Sequence, residues 1–347
     1  MIKKKVYILA LTSILSQFNC IDEIPFENNK IFNRINITGQ LSDDLEMKYI
    51  EIRKIPSEID KSQANGDPIE NASVWISDDQ GSNYTFKYIG KGIYASEVKG
   101  EIGRQYKLEV IIGDHKYESS YQKMMVNAPI DSVRAEIGEE SVVDQNGRVN
   151  SRSVVNLVLN TTLESNGQPI FTVYRISGEY EFHEIGIIGS FQIPKSCYIK
   201  QDFDTGKINA FSFFSFPNNQ LLERRVFQTD HDFRFLYRFS FLVNQYSVDS
   251  TTYVYWNNLG KILKEEQDLF DPPPGRLFGN IYCTSHENED PYGNFTVGSK
   301  TVKRIFTNSN DLGVPGINLC SRNPPRICYD CLSISSNSST TRPPYWQ

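Results

Sequence analysis

The chain has 347 residues, 36 of them basic and 42 acidic, for a formal charge of −6, which leaves no basic footprint of the kind nucleic-acid binding needs. Its 21 Phe, 19 Tyr and four Met, together with many Ile, Val and Thr, favour sheet over a helix bundle. After the first twenty residues no segment approaches the roughly 18 uncharged apolar residues of a membrane-spanning helix, and the length suits about two domains.

Residues 1–19 read as an address. Lys3, Lys4 and Lys5 form a basic n-region, and an apolar core from Val6 to Leu15, broken only by Thr12 and Ser13, is too short for a permanent membrane span. The run stops at Cys20, before Ile21, Asp22 and Glu23. This pattern predicts a bacterial secretory leader in which Cys20 becomes the lipidated first residue of the mature protein. The alternative is an ordinary signal peptide with Cys20 free or disulfide-bonded. Gln17, Phe18 and Asn19 are not the small residues a lipoprotein signal peptidase prefers, yet no A-x-A site lies nearby. Without the leader, 33 basic residues face 42 acidic ones, a net −9. Asp22 and Glu23 directly after the cysteine resemble the start of surface-exported lipoproteins, and that resemblance implies export to the cell surface.

Residues 20–33 are polar, contain Pro25 and read as a tether between lipid and fold. Short alternating strands then follow. Ala72, Val74 and Ile76 share one face of a strand, Asp78, Asp79, Gln80 and Gly81 supply a turn, and 84–88 returns as a second strand. Further strands through 93–94, 103–110 and 117–119 predict an immunoglobulin- or transthyretin-like β-sandwich over residues 34–127. Residues 127–133 read as a linker into a larger β-rich domain over 128–347. There, 154–159, 171–176 and the near-perfect aromatic alternation of 233–241 read as strands. One helix is expected at about 248–266. Ser247 is its N-cap, Tyr255, Trp256, Leu259, Ile262 and Leu263 lie on one face, and Asp271, three prolines and Gly275 end it. That face is expected to pack on the second sheet, with ligand binding as the alternative. The fold class is all-β, mostly antiparallel.

After Cys20 the chain holds Cys197, Cys283, Cys320, Cys328 and Cys331. Structural disulfides are the default in an envelope compartment, and an odd number leaves one thiol over. Cys328 and Cys331 are expected not to pair with each other, because a bond between them closes a tiny loop. They are expected to bond Cys197 and Cys320, in an order left open. Cys283, on a strand-like segment, is the expected free, buried thiol. Cys283-x-x-His286 and Cys328-x-x-Cys331 each have the spacing of zinc ligands, but an oxidising compartment and the Glu- and Asn-rich loop around His286 weigh against zinc. No metal and no cofactor is expected. The loop 287–290 lacks the EF-hand calcium pattern, and a thioredoxin-like role for 328–331 lacks its βαβ context. His115, His183, His231 and His286 form no HExxH-like pair, and no nucleophile elbow, P-loop or G-x-G-x-x-G occurs. Glu139, Glu140, Glu265 and Glu266 read as solvated surface. No catalytic residue is assigned, and the protein is not expected to be an enzyme.

The order of motifs resembles one family. The pieces are Pro129 to Val133, the Tyr255-Trp256 helix, Phe270 to Pro274, Gly279 to Ile281, Asn294 to Val297, Cys328 to Cys331 and Pro343 to Trp346. Ala72 to Ile76, Gly92 to Tyr94 and Tyr117 to Ser120 extend the likeness into the first half. Together they resemble the Bacteroidota lipoproteins of domain of unknown function 4249 (DUF4249). The resemblance implies an outer-membrane lipoprotein, often encoded beside a TonB-dependent transporter, and brings no catalytic residues with it. The expected role is therefore an accessory or ligand-binding partner of such a transporter at the outer membrane. A structural or adhesive surface protein is the alternative, and an envelope hydrolase a further one.

Overall fold

The structure, a computed structural model, describes residues 34–346 apart from 56–65, 166, 187–188, 190, 192, 204–207, 265–276 and 287–288. The leader, Cys20, the tether and the proline-rich helix stop thus lie outside the described residues, as does the helix end expected beyond Lys264.

Period-two alternation builds the first strands. In β2 (Lys48–Ile55) Ile50 and Ile52 are fully buried while Tyr49, between Lys48 and Ile50, is exposed, as a strand with one wet face requires. β1 (Arg34–Leu41) pairs antiparallel with β2, and β2 also pairs with β3 (Asp67–Pro68) and β6 (Ile93–Ser96). Facing them are β4 (Ala72–Asp78), β7 (Gln105–Ile112), β8 (His115–Ser119) and the short β9 (Gln122–Lys123). β5 (Asn83–Gly90) belongs to both layers: Asn83 to Phe86 pair with β4, and Lys87 to Gly90 pair with β6. Ile37, Ile52, Ile76, Leu108 and Tyr117 fill the space between the layers.

The second half repeats the principle with longer strands. β10 (Ile130–Val143), β11 (Val149–Thr162) and β17 (Gln220–Asp230) form a three-stranded antiparallel sheet. β12 (Glu164–Ser165) and β13 (Gln168–Pro169) make a small ribbon beside it. Opposite lie β14 (Phe171–His183), β15 (Ser196–Asp202), β16 (Asn209–Ser212) and β18 (Phe239–Val248). Leu157, Leu159, Tyr174, Ile176, Phe241 and Val243 form the core between these sheets. The outer side of β14 and β18 carries Val173, Tyr246 and Val248, on which helix α1 (Ser250–Lys264) lays Tyr253 and Trp256.

Two strands carry the chain back across the border expected at residues 127 and 128. β19 (Ile281–Cys283) pairs with β8 at the edge of the first half. β20 (Phe295–Thr307) pairs its first three residues in parallel with β1, then runs antiparallel to β18. Phe295 and Val297 consequently belong to the first core. From Arg34 the chain forms one compact unit, and β21 (Ser338–Ser339) closes the far edge against β15. The segment 127–133, read as a linker, runs from buried Ala128 straight into β10. Ala128 is fully buried, its carbonyl accepts from Gln245 Nε2 at 2.8 Å and Thr301 Oγ1 at 2.9 Å, and its N–H donates to Ser247 Oγ at 3.0 Å.

Three local expectations change. Residues 233–241 are not one strand: 233–235 form a 3-10 turn, because Asp232 Oδ1 accepts from Arg234 N at 3.0 Å and stops the extended backbone before β18. Ser247 is not the N-cap of α1. It lies buried in β18, and Asp249 caps instead, its Oδ1 accepting from Thr252 N at 2.8 Å. Leu263 leaves the apolar face and stands exposed near the end of the helix. The all-β, mostly antiparallel architecture stands, with one α-helix among the described residues.

Candidate functional site

Two places concentrate chemistry. The first is a groove of about 940 Å³ between β17, β16 and α1. Phe211 and Tyr253 give it an aromatic floor, and Arg224, Arg225, Lys261 and Glu223 give it charged walls. The Arg224 guanidinium stands 5.5 Å from the centre of the Phe211 ring, a cation–π distance. The register of β11 against β17 shifts twice here, and Glu223 is held at φ 52° inside a strand. That left-handed backbone is costly for a residue with a side chain. It is fixed by Asn160 Oδ1, which accepts from Glu223 N at 2.5 Å, and by the Glu223 carboxylate meeting the Arg134 guanidinium. The Arg134 contact holds the Glu223 carboxyl below its usual range.

The second place is the edge formed by β8 and β19. Tyr117 lies opposite Cys283 in that ladder, which puts His115 and Cys283 at the same end. A backbone bond from Thr284 N to Lys116 O (2.8 Å) extends the pairing past the strand end, and the Ser285 hydroxyl accepts from Lys116 N at 2.9 Å. The loop then folds back, bringing His286 and Glu289 to the same point. One ligand atom from each of His115, Cys283, His286 and Glu289 lies within 4.8 Å of all the others. His115 Nδ1 is 2.5 Å from Glu289 Oε2, and the two imidazole rings stack with centres 4.2 Å apart. Tyr117 donates its hydroxyl to Glu289 Oε1, and burial, reinforced by that carboxylate, pushes the phenol pKa upward.

The remaining residues singled out in the sequence fall elsewhere. Cys197 bonds Cys331 and Cys320 bonds Cys328, so Cys328-x-x-Cys331 offers no thiols to a metal. Cys283 is the free cysteine among the described residues. It is half-buried instead of buried, since β19 is an end strand with one side open. His183 stacks on Tyr237 and meets Glu181, and buried His231 meets Ser309 Oγ at 3.0 Å. Both serve packing. Glu139 and Glu140 pair across the hairpin with Ser151 and Arg152. Glu289 of the loop set aside as a calcium site joins the histidines, and its neighbours 287–288 lie outside the described residues.

The fold thus defines an all-β protein with two sheet cores, a charged aromatic groove and a His-, Cys- and Glu-rich edge. A family model described as Domain of unknown function (DUF4249) matches residues 21–304, and the chain belongs to that family. A search of curated proteins gives no match. The matched range includes Cys283, His286 and Glu289 and ends inside β20, before Cys320, Cys328 and Cys331.

Proposed function

We propose that this protein is a lipoprotein anchored at the outer membrane through Cys20, and that it works by binding, as an accessory of a TonB-dependent transporter, with the groove between β17 and α1 as its contact surface. The observation that carries the reading is the groove. It joins aromatic surface to Arg224, Arg225 and Lys261 on a chain that is acidic as a whole. Its wall also holds Glu223 in a strained conformation at a register shift, and backbone strain concentrates at sites of function. The leader pattern supports the address, and two disulfides suit an oxidising envelope compartment. Among the described lining residues there is no histidine or cysteine to pair with Ser212 or Ser215, which supports binding over acyl transfer.

The test is purification from native membranes in mild detergent. The protein is expected to bring down a TonB-dependent transporter in fixed ratio. The exposed pair Arg224→Glu and Arg225→Glu, which leaves both cores intact, is expected to lower that yield about tenfold or more, as loss of interface arginines does. Absence of any transporter with the unaltered protein contradicts the reading. Full retention by the doubly substituted protein moves the contact away from the groove.

A further inference from the structure

We propose that His115, Cys283, His286 and Glu289 bind one divalent ion of the zinc class at the open edge of the first sheet. The donor set is the first argument. Two imidazoles, a thiol and a carboxylate are the ligands zinc takes in tetrahedral sites, and sulfur with imidazole selects such ions over calcium or magnesium. A thiolate and a carboxylate also balance a double positive charge. The four donors already lie within 4.8 Å of one another, against roughly 3.5 Å between ligands around a tetrahedral zinc. His286 is exposed and stacks on His115, so the closing movement falls on a side chain at the surface.

The surroundings are the second argument. Ligating side chains in metal sites are themselves held by outer hydrogen bonds, and Glu289 and His286 are held in this way. Fully buried Tyr117 donates to Glu289 Oε1, leaving Oε2 toward His115 and 3.8 Å from Cys283 Sγ. His115 turns Nδ1 into the cluster, 2.5 Å from Glu289 Oε2, while its Nε2 faces the exposed Asp114 carboxylate at 3.4 Å. His286 Nδ1 is 2.9 Å from Ser285 Oγ, which leaves Nε2 as its free donor. The thiol is the least suited of the four to a plain hydrogen-bonded clasp, being a weak donor and a weak acceptor. As a metal ligand it is well placed, and coordination shields it from oxidation where the other described cysteines are bonded. An ion here ties the three-residue end strand β19 to β8 and to the loop that follows. The site shares no residue with the groove, so it stands or falls independently of the proposed function.

The experiment uses the untagged mature protein, stripped with a chelator. Cys283 is alkylated with iodoacetamide with and without zinc, and the modified peptide is quantified by mass spectrometry. Saturating zinc is expected to slow labelling of Cys283 at least about tenfold, magnesium not at all. Cobalt is expected to give a thiolate charge-transfer band that Cys283→Ser abolishes. Zinc affinity is expected to fall about 10- to 100-fold in His115→Ala and in His286→Ala, the size of loss typical when a metal site is disturbed, with circular dichroism unchanged. Labelling of the unaltered protein at the same rate with and without zinc overturns the proposal, as does equal protection by magnesium or zinc affinity untouched by both histidine substitutions.

Discussion

Asp44 sits between two ammonium groups. Lys300 Nζ lies 2.9 Å from Oδ2, and Lys48 Nζ meets Oδ1. Burial alone raises the carboxyl, but hydrogen bonds and charge from both lysines outweigh it and bring the group down to about 2 from an ordinary 3.8. A depressed carboxyl adds stability above its unfolded value and loses it as pH falls through the folded one. Asp44→Asn is therefore expected to cost about 2 kcal/mol at neutral pH. In urea unfolding the gap between the two proteins should close between about pH 4 and about pH 2, and a gap as wide at pH 2 as at pH 7 contradicts this account. The same scale shows what the sequence can and cannot reveal about a site. Cys283 and His286 are visible as a pair because two residues separate them. His115 and Glu289 stand 174 residues apart, and only the pairing of β8 with β19 joins them. A signal did exist: His115 and Tyr117 share one face of a strand by period two, and Tyr117 lies opposite Cys283. No periodicity can report that these two strands are neighbours.

At the scale of elements, the C-terminal segment is held by side chains and two crosslinks. Trp346 donates to Glu181 Oε2 at 3.1 Å and packs edge-on against Tyr198, while the Arg304 guanidinium covers the Tyr345 ring at 3.7 Å. Buried Glu184, just after β14, accepts from Lys195 N at 2.9 Å and Cys331 N at 3.0 Å, fastening the crosslinked loop to the second sheet. Cys197–Cys331 spans 134 residues and Cys320–Cys328 spans 8. Loop-closure entropy makes the first worth about 5 kcal/mol and the second about 2.5 kcal/mol. Replacing Cys197 and Cys331 by Ser is thus expected to lower stability about twice as much as replacing Cys320 and Cys328, measured by guanidinium unfolding. Equal losses contradict the ranking. β2 is legible because a wet face and a dry face leave opposite residue types, and β11 because Val154 to Leu159 is an apolar run buried at every position but Asn156. The stretch 233–241 misleads for a physical reason. Its aromatics alternate, but the Asp232 cap turns the backbone, and Phe235 reaches the core from a 3-10 turn instead of a strand. At α1 the mistake is smaller. Ser247 and Asp249 are both good caps by type, and the ladder of β14 with β18 runs through Val248, which leaves Asp249 as the first residue free to cap.

Across the whole described chain, β20 is the joint. Three of its residues complete the first core through a parallel pairing with β1, and the rest complete the second sheet against β18. A strand shared in this way makes the two halves one compact unit, and such long-range pairing leaves no local mark in a sequence. The fold class was legible from composition and alternation, whereas this joint was not. The proposed function depends at this scale on an address read from residues 1–20, because an accessory of an outer-membrane transporter would have to be delivered and held there. The most direct measurement is the intact mass of the protein taken from its native membrane. The account predicts that residues 1–19 are absent and that the chain begins with an acylated Cys20. A chain that retains Met1, or begins at an unmodified Cys20, contradicts it.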